Sequence, residues 1–351
     1  MTGLIGLPAV LAERLAAQLL TGPPATGADG VAGRLLAVQA QDPRGARLAV
    51  RARTTGLVAA DVDRALTADR SLIVTWLNRG TLHLVRSEDY WWLHPLTTGP
   101  LFTANARRLG QEGVPPDAAA RGAAVVARSL AAEGPLTRAQ LRERIAAADV
   151  RTEGQALVHV LMLACLRGIA VRGPVIGGEQ AYVLVRDWLG RPPAPVDRDA
   201  ALAELARRYL AGHGPAVDRD LARWAGLPLR DVRRGLAGLA GKLDERADGL
   251  VALVRDISRR DCPIPPPRLL GAFDPVLLGW ASRESILGPH EPAVVSGGLF
   301  RPFALVRGRA AATWSMAGGQ VVMKPFAPLA AADTVALETD AGDVRRFLNG
   351  R

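Results

Sequence analysis

The stretch "LLAVQAQDPRGARLAVRAR", residues 35–53, decides how the first part of the chain folds. Asp42-Pro43 divides it, because the residue before a proline disfavours the α conformation. An aspartate at the N-cap and a proline at the first helical position also favour the start of a new helix. We therefore predict one helix over residues 31–41 and a second helix that begins after Asp42.

Two glutamines, Gln39 and Gln41, lie among apolar neighbours immediately before this break. In a regular helix, side chains two residues apart point about 200° apart, so both can face one site only where the helix ends or distorts. Asp42-Pro43 supplies such an end. The pair therefore has two interpretations: the amides bond the free carbonyl groups of a helix C-terminus, or they line a site.

The helix predicted after Asp42 carries a row of three arginines, Arg44, Arg47 and Arg51, with alanine and valine on its opposite side. Such a row is typical of a solvated charged face. It also suits a contact with DNA, because a guanidinium group matches the geometry of phosphate oxygens.

Residues 71–86 predict a β-hairpin with a three-residue turn that ends at Gly80. The alternation of the second strand places Thr81 and His83 on one side, and Arg79 lies at the tip. His83 has two interpretations, as a histidine at the rim of the core or as a contact with DNA.

Three helices followed by a hairpin is the order of a winged helix, and we predict three such modules, over residues 1–98, 113–192 and 194–259. The segments "SLAAEGPLTRAQLRERI" and "YLAGHGPAVDRDLARWA" repeat the same order of helix, Gly-Pro turn and helix, which argues for duplicated modules. The aromatic residues 90–92 at the end of the first module either close that domain or stack on bases.

The fourth block, residues 261–351, contains a proline-rich linker and short apolar runs separated by glycine and proline, a pattern that predicts a small β-rich portion. The predicted fold class is therefore mainly α with β (α+β), with three tandem winged helices followed by a β-rich C-terminal portion.

The last helices of the second and third modules differ in character. Arg230, Arg233 and Arg234 give the third module a basic patch of the kind that recognition helices carry. The corresponding helix of the second module, within "GQALVHVLMLACLRG", is almost wholly apolar, so we expect it to be buried between modules. The predicted modules therefore include scaffolding as well as DNA readers.

The charge of the chain favours acidic partners such as nucleic acid. Its 351 residues include 44 basic and 34 acidic side chains, a net charge of +10. Lys242 and Lys324 are the only lysines, so 42 of the 44 basic residues are arginine. An arginine-rich, lysine-poor composition is also typical of a GC-rich genome, and the charge alone does not choose between these explanations.

Several enzyme classes are excluded by motif. The sequence lacks GxxxxGK[ST], GxGxxG, HExxH and GxSxG. Five isolated histidines and two cysteines provide neither metal-ligand spacing nor a disulfide framework, so we expect no metal and no cofactor. Since no apolar run of 18 residues and no secretory signal occurs, we expect a cytoplasmic protein without membrane contact.

Four segments, "LLAVQAQDPRGARLAVRAR", "WLNRGTLHLV", "LLGAFDPVLLGW" and "GGLFRPFALVRGRAAATW", together resemble the bacterial tandem winged-helix DNA glycosylases of the AlkZ/YcaQ type. The resemblance covers nearly the whole chain. It implies a monofunctional enzyme that excises bulky N7-alkylated purines from double-stranded DNA, including interstrand crosslinks, in repair or in self-resistance to a genotoxin. It further implies that Gln39 and Gln41 form the catalytic Gln-x-Gln motif of the AlkZ branch, and that the helix after Asp42 and the hairpin around Arg79 face DNA.

The implied chemistry suits uncharged amides. An N7-alkylated purine is a cation whose glycosidic bond is already weakened, so the enzyme needs mainly to hold a water and to stabilise an oxocarbenium-like sugar. Both lysines lie far from Gln39 in sequence, which argues against a Schiff base and for an intact abasic product. We expect a monomer.

Two other functions are open at this point: a non-enzymatic winged-helix DNA-binding protein such as a transcriptional regulator, and a family member without activity. The regulator is disfavoured because no separate ligand domain is predicted and because one of the candidate recognition helices is apolar.

Overall fold

The computed structural model describes residues 8–254 and 262–350, and it has the mixed α and β structure that the sequence predicts. The helices are α1 (Ala9–Ala17), α2 (Ala28–Leu35), α3 (Pro43–Arg51), α4 (Ala59–Thr67), α5 (Tyr90–Gln111), α6 (Pro116–Glu133), α7 (Arg138–Ala146), α8 (Ala156–Leu166), α9 (Val185–Trp188), α10 (Arg198–His213), α11 (Asp218–Ala225), α12 (Leu229–Ala237), α13 (Glu284–Leu287), α14 (Glu291–Val294) and α15 (Ala331–Asn349). The strands are β1 (Val38–Gln39), β2 (Leu72–Leu77), β3 (Thr81–Arg86), β4 (Ala170–Ile176), β5 (Glu179–Leu184), β6 (Leu243–Glu245), β7 (Val251–Leu253), β8 (Arg268–Leu270), β9 (Val295–Ser296), β10 (Leu299–Phe300), β11 (Phe303–Val306), β12 (Arg309–Ala317) and β13 (Gln320–Pro325).

The chain divides into two compact units. The first unit combines Met1–Val62 with Leu202–Arg351, and the second unit is Asp63–Ala201. This division by packing does not follow the four sequence blocks, whose boundaries stay predictions. The predicted border between the third module and the β-rich portion, at residues 259–261, lies outside the described residues.

The second unit contains two antiparallel hairpins, both as predicted. β2 and β3 form the first hairpin, in which Thr75 pairs with His83 and Gly80 adopts φ +82° in the turn. β4 and β5 form the second hairpin, with Gly177 and Gly178 at its tip. The strand order β3, β2, β4, β5 joins them in one sheet.

The core of the second unit forms around α8. Most residues of α8 are buried, and the helix packs against α5 and α6. In the preceding helix, Thr137 caps the N-terminus of α7: its hydroxyl accepts from the Gln140 backbone N–H, and the Gln140 side-chain oxygen accepts from the Thr137 backbone N–H. The apolar sequence of α8 therefore reflects burial within its own unit.

Sequence reasoning missed α5, a 22-residue helix that crosses the predicted end of the first module. Pro95 and Pro100 lie inside it, and prolines usually interrupt helices because they lack the backbone N–H. Tyr90, its first residue, is 2% exposed and stacks on His94 with ring centroids 4.8 Å apart. Tyr90 therefore packs inside the domain, which leaves its ring unable to stack on bases.

In the first unit, α10, α11 and α12 precede the hairpin of β6 and β7, which is the winged-helix order. An antiparallel sheet in the order β13, β12, β11, β8 follows, so the predicted β-rich portion is confirmed. The 19-residue helix α15 after it was not predicted. Its buried residues include Leu337, Val344 and Phe347, spaced seven and three apart, a helical stripe from which this helix could have been predicted.

The predicted helix over residues 31–41 is wrong in its second half. α2 ends at Leu35, because Leu36 adopts a left-handed φ of +64°, and the chain then continues as the extended segment β1. Residues 37–40 are each at most 5% exposed. A short run buried on both faces has no hydrophobic periodicity, so the sequence cannot distinguish a helix from a strand there.

Candidate active site

Gln39 and Gln41 are brought together by an extended backbone. Side chains two residues apart on a strand share one face, whereas on the predicted helix they would diverge. The Gln39 Nε2 donates to the Gln41 Oε1 at 2.6 Å. Gln39 is 5% exposed, and Gln41 is exposed. The pair therefore forms a polar group that runs from the interior to the surface, and the helix-capping interpretation is wrong because α2 ends four residues earlier.

Helix α3 begins directly after this pair. Asp42 adopts an extended conformation at the N-cap, its side chain accepts from the Arg44 backbone N–H at 3.0 Å, and Pro43 occupies the first turn, all as predicted. The N-terminus of a helix carries a partial positive charge. Gln41 is thus followed by a helix end that is fixed in place by its own cap.

Arg51 does not belong to an exposed basic row, which corrects the sequence prediction. Its side chain is 1% exposed and forms ion pairs with Asp340 at 2.9 Å and with Asp343 at 3.0 Å. Its second Nη also donates to the Leu269 carbonyl oxygen at 2.8 Å. The residue lies on the buried side of α3, so it anchors this helix to α15 and β8 and cannot reach a phosphate.

A second buried arginine, Arg53, was not singled out in the sequence. It forms an ion pair with Asp274 at 2.8 Å in which both side chains are fully buried. It also donates to the Gln18 backbone oxygen at 2.8 Å and to the Ala49 oxygen at 2.9 Å. Arg53 therefore ties the end of α3 to α1 and to the segment after β8.

Asp274 carried a signal that sequence reasoning missed. Asp274-Pro275 repeats the Asp-Pro order of residues 42–43, and its carboxylate likewise accepts from the backbone N–H two residues on, that of Val276, at 3.0 Å. One carboxylate thus caps a short helical turn and neutralises a buried guanidinium. The first role could have been predicted from the dipeptide, but the second depends on a residue 221 positions away.

The remaining predicted DNA-binding residues of the first unit lie at the surface. Arg44 is exposed, and Arg47 is half-exposed and donates to the Pro43 carbonyl at 2.9 Å. On α12, the exposed arginines are Arg230, Arg233 and Arg234. The Arg233 guanidinium lies 2.7 Å from Asp218, so part of this basic patch is neutralised within the module.

The predicted hairpin residues belong to the second unit. Arg79 is exposed at the tip and Thr81 is half-exposed. His83 is 3% exposed, and its Nδ1 donates to the Thr81 carbonyl oxygen at 2.9 Å. The His83 Nε2 lies 3.5 Å from the Thr81 hydroxyl, so both ring nitrogens turn toward the hairpin itself. The interpretation of His83 as a hydrogen-bonded histidine of the core therefore replaces that of a DNA contact.

Buried histidines make the protein sensitive to acid. Burial lowers the pKa of His83 and of His213 to about 3 and that of His94 to about 4. Histidine in the unfolded chain has a pKa near 6.5. Below that pH the unfolded chain therefore binds protons that the folded protein does not bind, which lowers the free energy of unfolding. We expect the melting temperature to fall as the pH decreases from about 6.5 toward 3.

The variant His213→Phe tests this origin, because it keeps a ring in the aromatic surroundings of residue 213 and removes one titrating group. It should lose less stability between pH 7 and pH 5 than the parent protein. Equal losses in thermal unfolding measured at both pH values would contradict the assignment.

Residues 8–254 and 262–350 contain no group of three or more histidine, cysteine, aspartate or glutamate side chains placed to hold a metal ion. Within the same ranges, no helix has the length and apolar character needed to span a membrane.

Comparisons with known proteins identify the family of this chain. The family model described as DNA glycosylase AlkZ-like matches residues 32–347. The chain belongs to the AlkZ-like DNA glycosylase family. It is 29% identical to the interstrand DNA cross-link repair glycosylase of Streptomyces sahachiroi, over 96% of this chain and 95% of that protein. The solved structure of the S. sahachiroi DNA glycosylase AlkZ superposes with a TM-score of 0.78 at 28% identity, covering 97% of this chain and 95% of the other.

Family membership confirms the resemblance and the enzyme class. An AlkZ-like DNA glycosylase is a hydrolase that cleaves N-glycosidic bonds in DNA, so the alternative of a non-enzymatic regulator is not favoured. The family match includes the glutamine pair, α3 and the buried partners Asp274 and Asp340.

Proposed function

We propose that this AlkZ-like glycosylase excises N7-alkylated purines by hydrolysis, with Gln39 and Gln41 as the catalytic pair. The observation that carries the proposal is the amide pair itself, held on an extended segment with one member buried and the other at the surface. Amides are the functional groups that this substrate needs, since its leaving base is already cationic.

The pair can supply two interactions without changing charge. Its internal hydrogen bond uses the Gln39 nitrogen and the Gln41 oxygen, so the Gln39 oxygen and the Gln41 nitrogen are left for other contacts. An amide oxygen can accept a hydrogen bond from the attacking water and orient it toward C1′. The same amide dipoles stabilise the positive charge that develops on the sugar.

Schiff-base chemistry has little support in this chain. Lys242 and Lys324 are both exposed, the second of them on the outer strand β13 of its sheet. Neither residue occupies the buried, desolvated position that favours nucleophilic attack by a lysine. The proposed product is therefore an intact abasic site.

The name of a relative supports a more specific substrate and setting. Because the S. sahachiroi relative repairs interstrand crosslinks by name, we extend the proposal to unhooking such crosslinks in duplex DNA. We propose a monomer that works in the cytoplasm, where bacterial DNA lies, in repair or in self-resistance to a DNA-alkylating agent. Arg44, Arg47, Arg79, Thr81 and the α12 arginines are the proposed DNA contacts.

Charge reversal tests the phosphate contacts on α3. We expect Arg44→Glu and Arg47→Glu each to weaken binding to duplexes of any sequence several-fold and to flatten the dependence of affinity on salt, because phosphate contacts release counterions. Fluorescence anisotropy with undamaged DNA at 50, 100 and 200 mM salt measures the affinity and its dependence on salt. Arg186→Glu is the matched control, since that side chain is 72% exposed and outside the proposed surface.

Arg51→Glu should affect folding, unlike Arg44→Glu and Arg47→Glu, which should affect DNA affinity. It would place a third carboxylate beside Asp340 and Asp343, so we expect loss of the folded first unit and not a change in salt dependence. A folded Arg51→Glu protein with reduced DNA affinity would contradict the buried, anchoring role of Arg51. Unchanged DNA affinity of the Arg44→Glu and Arg47→Glu variants would show that α3 does not contact DNA.

A panel of lesions tests the proposed substrate class. Duplexes that carry a single 7-methylguanine, hypoxanthine or 8-oxoguanine are incubated with the enzyme, together with a duplex crosslinked through two N7 positions by a nitrogen mustard. We expect release of the cationic bases and separation of the crosslinked strands, with no release of the neutral bases. Preferred release of a neutral base would contradict the proposal.

A further inference from the structure

The loop that precedes Asp274 packs backbone against backbone on the first turn of α3. A Cβ added at Gly45 would collide with the Ala272 carbonyl oxygen, and one added at Gly271 would lie 3.0 Å from the Gly45 Cα. Only residues without side chains allow this approach. Since Gly45 follows Gln41 by four residues, the loop lies against the helical turn that begins next to the glutamine pair.

Phe273 is held in this loop in a strained conformation. Its φ is +57°, a region that residues with a side chain rarely adopt and that persists where the surrounding structure imposes it. Its neighbours impose it here: Ala272 is packed on α3, and Asp274 is fully buried and paired with Arg53. Phe273 itself is half-exposed. Such strain is typical of residues placed for function.

A second aromatic ring supports Phe273 from the hairpin of β9 and β10. The centroids of Phe273 and Phe300 are 5.0 Å apart, with the ring planes tilted by 36°. Arg283 lies over the ring of Phe300, with its guanidinium carbon 5.1 Å from the ring centroid. That arginine is fixed in turn by the Leu277 carbonyl at 2.8 Å and by Glu291 at 3.2 Å. We call Phe273 and Phe300 the aromatic pair.

An apolar side chain next to the aromatic pair is exposed to solvent. Leu299, which precedes Phe300, is 70% exposed. An apolar surface on a DNA enzyme suits a base and not a phosphate, because bases offer flat π faces and phosphates demand charge. An N7-alkylated purine adds a positive charge to such a face, and aromatic rings attract cations.

We propose that the aromatic pair binds the alkylated purine by stacking on its cationic face beside Gln39 and Gln41. The inference rests on the proposed substrate class and catalytic pair. When the glycosidic bond breaks, its electron pair stays on the base, which becomes neutral and loses its attraction to the rings. The aromatic pair therefore favours the charged substrate over both undamaged purines and the released product.

Equilibrium binding to an uncleaved lesion tests the proposal. The probe is a duplex that contains one 2′-fluoro-7-methyl-2′-deoxyguanosine, whose fluorine slows loss of the base, and the reference is the same duplex with unmodified guanine. We expect Phe273→Leu and Phe300→Leu each to weaken binding of the lesion duplex by about tenfold, the scale of one lost base stack, and to leave reference binding unchanged. Tyrosine at either position should restore lesion binding.

Phe326→Leu is the matched control. Phe326 is a half-exposed ring of the same unit that stacks on His290 with centroids 4.3 Å apart. Its loss should leave binding of both duplexes unchanged. Equal weakening of lesion and reference binding by the Phe273 and Phe300 variants, or no weakening in either, would overturn the proposal.

An isosteric series covers the case in which a leucine variant does not fold. Incorporation of 4-fluoro-, 3,5-difluoro- and 3,4,5-trifluorophenylalanine at position 273 keeps the ring while it withdraws electron density from the π face. We expect affinity for the lesion duplex to fall stepwise with fluorination and affinity for the reference duplex to stay constant. A lesion affinity that is independent of fluorination would overturn cation stacking.

The catalytic role of Gln39 and Gln41 is tested separately from stacking on the aromatic pair. The uncleaved probe binds without a chemical step, so Gln39→Ala and Gln41→Ala should slow excision of 7-methylguanine by a much larger factor than they weaken binding of the probe. Normal excision by both glutamine variants would overturn the catalytic role of Gln39 and Gln41 and leave the stacking proposal standing. A lesion affinity that does not change with fluorination would overturn the stacking proposal and leave the catalytic role standing.

Discussion

Replacing Gln39 or Gln41 with alanine is expected to slow base excision by about 10²-fold or more, the usual scale for the loss of one dipole that acts in the transition state. The two side chains share one hydrogen bond, so the double variant should lose less than the product of the two single effects. Single-turnover release of 7-methylguanine from an oligonucleotide measures both.

The variants should remain folded, since Gln41 is exposed and the Gln39 amide bonds only to Gln41 among the contacts resolved in the described residues. Gln111→Ala is the matched control: Gln111 is also exposed and accepts from Arg108 on the surface of α5. Its excision rate should equal that of the parent protein. Parent-like rates in both Gln39→Ala and Gln41→Ala would show that the pair has no catalytic role.

Removal of the Asp274 carboxylate is expected to cause a large loss of stability. Asp274→Ala leaves the Arg53 guanidinium buried without its countercharge, which typically costs about 3–5 kcal/mol of unfolding free energy. It also removes the bond to the Val276 N–H. We expect the first unit to unfold at much lower urea concentration than in the parent protein.

The control for this variant removes one partner of a surface ion pair. Glu133 pairs with Arg144 where their side chains are 40% and 30% exposed, and water screens such pairs strongly. Glu133→Ala should therefore shift the urea midpoint little. A shift for Asp274→Ala as small as that for Glu133→Ala would mean that the Arg53 pair does not hold α3 in place.

Local signals in the sequence were reliable where the chain itself decides the conformation. Asp42-Pro43 starts α3 and Gly80 ends the hairpin turn, because caps and turns depend on residues within a few positions. The long helix α5 was missed because its two prolines are tolerated inside it.

The candidate site was predicted only in part, for a related reason. The residues Gln39 and Gln41 were identified, but the backbone that joins them was predicted as a helix, since burial on both faces removes periodicity. Arg51 was placed on an exposed row because its countercharge, Asp340, lies 289 positions away. Partners at that separation leave no pattern in one sequence. The aromatic pair was not predicted, because the positive φ of Phe273 is imposed by tertiary packing.

One measurement tests the central claim, that this chain is a monofunctional glycosylase for N7-alkylated purines. A duplex with a single 7-methylguanine in one strand is incubated with excess enzyme, with and without borohydride, and the base and the strand are analysed by mass spectrometry. We predict free 7-methylguanine, one equivalent of full-length strand with an abasic site, and no covalent adduct. Retention of the base, or strand cleavage with a borohydride-trapped lysine adduct, would contradict the claim.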